Sequence, residues 1–130
     1  MDIKKITVIG GGIMGSGIAQ VIATSGINVI VEDAFKEALD KSKKTISESL
    51  GKFVKSGKVS ENDSATILSR IRFSSDLKEA VSDSDVIIEA VPEIPDLKIK
   101  IFKDIEKFAS PNAILATNTS ILEFQKFPLQ

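Results

Sequence analysis

The sequence predicts an α/β fold: a doubly wound, mostly parallel sheet with a helical pair inserted after the second strand. Three observations carry this expectation. Short β-branched apolar runs alternate with longer stretches of helical periodicity. Five of the eight glycines crowd between the first such run and the first helical stretch. The interval between the second and third runs is long enough to hold two helices.

Ile3–Ile9 reads as a buried strand, and the helix opening near Met14 stops near Gly26. Val29-Ile30-Val31 makes a second strand that closes on Glu32-Asp33. From Ala34 to Ser56 an amphipathic helix is predicted, with Leu39, Ile46, Leu50, Phe53 and Val54 as its apolar stripe, and Gly57 breaks it. Ser60-Glu61-Asn62-Asp63 resembles a capping box with Asp in place of Glu and opens a shorter helix through Leu68. Ile71–Phe73, Val86–Ala90 and Ala113–Thr117 follow as strands. Between them lie a brief helix at Asp76–Ala80 and a longer one at Asp96–Phe108, whose face is read from Leu97, Ile101, Ile105 and Phe108. Buried on both sides, such strands form a parallel sheet.

The glycines spell Gly10-Gly11-Gly12-Ile13-Met14-Gly15-Ser16-Gly17 between strand and helix. Strand, glycine turn and helix make a dinucleotide-phosphate cradle of the Rossmann type. Gly10 allows the tight turn, Gly12 the approach of a pyrophosphate, and Gly15 close packing of helix on strand. The amides around Ile13 and Met14, at the positive end of the helix, face the phosphates. Asp33 stands 18 residues after Gly15, where an acid ending the second strand accepts hydrogen bonds from the adenosine ribose. It competes with a plain helix-capping role for Asp33. An acid there repels a 2′-phosphate and favours NAD as cofactor.

Composition narrows the rest. The 130 residues fit one domain, and a net charge of −1 offers no basic field for nucleic acid. No apolar run reaches the roughly 20 residues of a membrane helix. The opening Met1-Asp2-Ile3-Lys4-Lys5 runs straight into a strand, so a cytoplasmic protein is expected. Cysteine is absent, which removes thiolate nucleophiles and thiolate metal sites, and no metal is expected. Histidine is absent too, which removes the commonest general base near neutral pH.

Several segments together resemble one family, the N-terminal NAD-binding domain of L-3-hydroxyacyl-CoA dehydrogenases, 3-hydroxybutyryl-CoA dehydrogenases included. They are Val8–Gly15, Lys41-Ser42-Lys43-Lys44 with Glu48-Ser49-Leu50, Ile88-Glu89-Ala90-Val91-Pro92-Glu93, Lys98, Phe102, and Asn118-Thr119-Ser120. The resemblance spans about residues 3 to 122, leaving 123–130 as a tail. It implies that Glu93 and Lys98 lie by the nicotinamide half of the cofactor. Read alone, Glu93 is a helix-start acid and Lys98 a solvated lysine. It further implies that Asn118 orients the nicotinamide and that Ser120 bonds the substrate's 3-oxygen, although both residue types also favour plain turns. The excursion at about 34–70 resembles the helical pair that binds coenzyme A, with Ser49 at a CoA contact. Where the family often has a lysine this chain has Ser56, flanked by Lys55 and Lys58, and Lys55 is put forward for the CoA phosphate.

In that family a histidine about twenty residues after Asn-Thr-Ser takes the hydroxyl proton, and a helical second domain completes the acyl pocket and the dimer. Neither is present in these residues. The resemblance therefore implies a cofactor-binding domain of fatty-acid or butanoate metabolism that acts on acyl-CoA substrates and is, alone, a very poor dehydrogenase. Self-association to at least a homodimer is expected from apolar surface left bare. Two alternatives stand beside it: a non-catalytic NAD(H)-binding module, and a truncated β-hydroxyacid dehydrogenase sharing the Gly-x-Met-Gly turn.

Overall fold

The computed structural model describes residues 2–117. Its elements run β1 (Lys5–Ile9), α1 (Ile13–Thr24), β2 (Asn28–Glu32), α2 (Lys36–Lys55), α3 (Glu61–Ser69), β3 (Ile71–Ser74), α4 (Leu77–Val81), β4 (Val86–Glu89), α5 (Pro95–Phe108) and β5 (Ile114–Thr117). The five strands stand in the order β3-β2-β1-β4-β5, and all four pairings are parallel. The chain winds outward from β1 in one direction and then in the other. A crevice therefore opens beyond the carboxyl ends of β1 and β4, where open α/β sheets bind ligands.

Each face of the sheet has its own core. Val8, Val29, Val31 and Ile71 pack with Ala19 and Ala23 of α1, Leu39, Ile46 and Leu50 of α2, and Ile67 of α3. On the other face Ile9 and Ile87 pack with Val81 of α4 and Ile105 of α5. Two polar ties fix the frame. The Asp85 carboxylate accepts from the Lys4 and Lys5 amides, joining the starts of β1 and β4, and those amides hold its pKa below the usual range. Buried Thr7 and Ser84 both donate to the Ala80 carbonyl, seating α4 on the sheet.

Several sequence expectations change in detail. Strand β1 begins at Lys5, where Asp85 binds the Lys4 and Lys5 amides, and Ile3 is exposed ahead of it. In α2 the buried stripe is Leu39, Ser42, Ile46 and Leu50; Phe53 lies in solvent, with the Lys58 ammonium 5.8 Å from its ring centre. In α5 the inward face is Lys98, Phe102 and Ile105, whereas Leu97 is exposed. Beside α1, β4 and β5 carry no helix among the described residues: Ile114 and Ala116 are exposed, Val86 and Ile88 half-buried.

The register sets Glu32 of β2 and Glu89 of β4 on either side of Ile9, on one face at the carboxyl edge. Glu32 is 6% exposed, and its pKa rises from the ordinary 4.5 to about 7. Burial is the main cause, followed by the charges of Asp33 and Asp76.

Two stability outcomes follow from these contacts. A methyl added at Gly15 would sit 1.9 Å from the Gly10 carbonyl oxygen, whereas one at Gly51, inside α2, meets nothing within 4 Å. Urea denaturation should show Gly15→Ala losing about 1–3 kcal/mol or more and Gly51→Ala gaining roughly 0.5–1 kcal/mol. Glu32 binds its proton more tightly folded than unfolded, so its contribution is full below pH 4.5 and declines as pH rises to about 7. That decline should reach about 3 kcal/mol and vanish in Glu32→Gln; an equal slope in both proteins would refute it.

Candidate functional site

The glycine turn is stitched to both neighbouring strands. The Gly10 amide donates to the Glu32 carbonyl at 2.7 Å, and the Ala90 amide donates to the Ile9 carbonyl at 2.8 Å. Gly10 has φ +114°, and a Cβ there would meet the Ala90 carbonyl oxygen at 2.7 Å, so only glycine fits. Gly15 lets α1 descend onto Gly10: a Cβ there would meet the Gly10 carbonyl oxygen at 1.9 Å and Val8 Cγ1 at 3.4 Å. At Gly12 a Cβ would meet nothing, and the residue is exposed with extended backbone, φ −74° and ψ −171°. Space beside Gly12 is thus open.

No side chain caps α1. The first amide to close an intrahelical bond is that of Ser16, onto the Gly12 carbonyl. The Ile13 amide, in the turn before it, has no helical carbonyl to bond and lies at the positive end of the helix. No acid occupies that first turn. Ile13 and Met14 are both exposed there. Amides, an open cradle and no competing carboxylate fit a bound pyrophosphate.

Asp33 stands half-buried at the end of β2. One carboxylate oxygen accepts from the Gly11 amide at 2.9 Å and the other from the Phe35 amide at 3.0 Å. Each oxygen keeps a second lone pair for a ribose hydroxyl. The capping alternative is not what the chain adopts, since α2 has Phe35 as its cap. Glu32 points into the α4 face and takes no part in the turn except through its carbonyl.

At the carboxyl end of β4 the structure brings together Glu93, Lys98 and Glu89. The Lys98 ammonium donates to Glu93 Oε1 at 2.7 Å and lies 3.5 Å from Glu89 Oε1. Lys98 is buried, Glu89 wholly so, and Glu93 largely exposed. Glu89 also accepts from the Val91 amide at 2.7 Å and the Thr117 hydroxyl at 2.5 Å. It therefore ties β4, β5 and α5 together. In the sequence it stands out as an acid inside an otherwise apolar strand and as part of the Ile88–Glu93 segment.

In the helical excursion, Ser49 Oγ accepts from Gln20 of α1 at 3.0 Å, and Lys55 is exposed at the end of α2. A second seam was not foreseen: buried Ser16 and Ser42 share a 2.6 Å hydrogen bond. Ser16 Oγ also lies 3.4 Å from the Gly11 carbonyl, so the phosphate turn, α1 and α2 form one unit. Asn118 and Ser120 lie outside the described residues. Among the described residues no cluster suits a metal ion, and no helix is long and apolar enough to cross a membrane.

Residues 5–129 match the family described as 3-hydroxyacyl-CoA dehydrogenase, NAD binding domain. The chain is 43% identical to the mitochondrial hydroxyacyl-coenzyme A dehydrogenase of Sus scrofa over 127 residues, 93% of this chain and 40% of that protein. It is 44% identical to a probable 3-hydroxybutyryl-CoA dehydrogenase of Deinococcus radiodurans over 116 residues, 89% of this chain and 41% of that protein. Among solved structures, the (S)-3-hydroxybutyryl-CoA dehydrogenase of Ralstonia eutropha superposes with a TM-score of 0.87 at 39% identity, covering 92% of this chain and 42% of that one. The chain spans about two fifths of the length of these relatives. With its cradle, its acid at the end of β2 and this match across nearly all its residues, the chain belongs to the NAD-binding domain family of the 3-hydroxyacyl-CoA dehydrogenases, and its cofactor is NAD.

Proposed function

We propose that this chain is the part of an L-3-hydroxyacyl-CoA dehydrogenase that serves hydride transfer between C3 of a 3-hydroxyacyl-CoA or 3-oxoacyl-CoA and NAD(H), in fatty-acid or butanoate metabolism. The observation that carries the reading is the pairing of an open glycine cradle at β1 with the buried Lys98 cluster at β4. Bound NAD supplies the hydride acceptor or donor. The amides around Gly12, Ile13 and Met14 would hold the pyrophosphate, and Asp33 the adenosine ribose. Glu93 and Lys98 would flank the nicotinamide end. Asn118 would orient that ring, and Ser120 would bond the substrate's 3-oxygen. Ser49 and Lys55 would meet coenzyme A, with the Gln20 bond turning the Ser49 hydroxyl.

None of the 130 residues is a histidine. A positioned base contributes typically 10²–10⁴-fold, so turnover by this polypeptide alone is slow. That same fact supports the second reading, a non-catalytic module that reports NAD(H) by association. The β-hydroxyacid dehydrogenase reading loses ground to the family match. A homodimer is part of the proposal, burying the apolar half of the sheet over β4 and β5. So is a cytoplasmic setting, although relatives include mitochondrial and peroxisomal proteins; recovery from an organelle fraction would move the setting and leave the chemistry.

Gly12→Val should fold normally, since its Cβ meets no protein atom, yet lose NAD binding by calorimetry as the side chain fills the cradle. Asp33→Ala should weaken binding about tenfold by removing charge-assisted hydrogen bonds to the ribose. Unchanged affinity in Gly12→Val would overturn the cradle. With acetoacetyl-CoA and NADH, the chain should turn over at least about a hundredfold more slowly than a relative possessing the base. A rate equal to such an enzyme would refute the need for that base.

A further inference from the structure

A dinucleotide with its pyrophosphate at the glycine turn and its adenosine at Asp33 extends its other half toward the opposite side of β1. That side is the carboxyl end of β4, where Glu89, Lys98 and Glu93 meet. Three donors converge on the Glu89 side chain: the Val91 amide, the Thr117 hydroxyl and the Lys98 ammonium. An ionised carboxylate, which only accepts, satisfies all three. Two carboxylates then share one ammonium, and the cluster holds one negative charge in excess. Asp96 in the first turn of α5 adds to it and offsets the positive amino end of that helix. Glu89 and Lys98 are both screened from water whereas Glu93 is 71% exposed, so the charge of Glu89 acts through protein and that of Glu93 is weakened by solvent.

We propose that this three-charge cluster sets the redox preference of the cofactor site, favouring the oxidised, cationic nicotinamide over the neutral reduced ring, with Glu89 as the positioning residue that fixes Lys98 and supplies the excess charge. The inference rests on the dinucleotide reading above. It assigns Glu89 a role beyond structure, because a neutral isostere retains the shape and the acceptor for Val91 while removing the charge. Without that charge, Lys98 balances Glu93 alone.

Calorimetry on this chain with ADP-ribose, NAD+ and NADH tests it. ADP-ribose lacks the nicotinamide and reports the cradle alone. In Glu89→Gln the ratio of the NAD+ to the NADH dissociation constant should rise about fivefold, the size of effect a unit charge exerts across roughly 10 Å of partly screened protein, while ADP-ribose affinity holds. Glu93→Gln, on an exposed side chain that the core does not need, should move the ratio in the same direction and less far. If Glu89→Gln does not fold, Glu93→Gln decides the question by itself. A chain that binds ADP-ribose with an unmoved ratio in the folded variants overturns this proposal and leaves the dinucleotide reading intact. A chain that binds neither ADP-ribose nor NAD+ overturns both.

Discussion

Between Gly15 and the Gly10 carbonyl there is no room for a methyl group: its carbon would lie 1.9 Å from the oxygen. That closeness brings the amino end of α1 down to the carboxyl edge of the sheet, level with β2 and β4. Without it the helix amides would stand away from the crevice, and Asp33 could not reach the Gly11 amide. Glycine at position 10 completes the arrangement, because its positive φ turns the chain while its bare α-carbon clears the Ala90 carbonyl. The site is thus made of backbone, brought into place by side chains that are missing.

Around this turn the acids divide by environment. Asp33 is half-buried with amide donors on both oxygens, whereas Glu32, one residue earlier, faces the α4 core and holds its proton up to about pH 7. A period of two along a strand is enough to send neighbouring carboxyls to such different surroundings. Glu89 occupies the matching position on β4, yet it meets an amide, a hydroxyl and an ammonium there. Both side chains are buried, and their neighbours differ.

Much of the fold was legible in the sequence because the signals were local. Alternating β-branched runs and 3.6-residue periodicity located all ten elements, within two residues at their ends. The Ser60 cap and the Gly57 break also stood where the residues indicated. What escaped was non-local. Counting apolar residues put Leu97 inside α5 and Lys98 outside, but the ammonium is drawn inward by Glu89 of another element. Ser42, absent from the apolar stripe expected of α2, is buried because Ser16, 26 residues earlier, stands opposite it. At the site, the turn and Asp33 followed from spacing, whereas Glu93, Lys98, Ser49 and Lys55 needed a family resemblance, since each residue type is ordinary on a surface.

The Ser16–Ser42 and Gln20–Ser49 bonds lie seven residues apart on α2 and four apart on α1, about two turns along the one and one turn along the other. Two such pegs index α2 against α1 in both rotation and translation. Turning α2 by a single residue would present Lys41 or Lys43 to the pocket that now holds Ser42, stranding a hydroxyl and burying an ammonium. The helical excursion therefore cannot swivel as an independent flap; whatever its outer surface grasps is held at a fixed bearing from the phosphate turn.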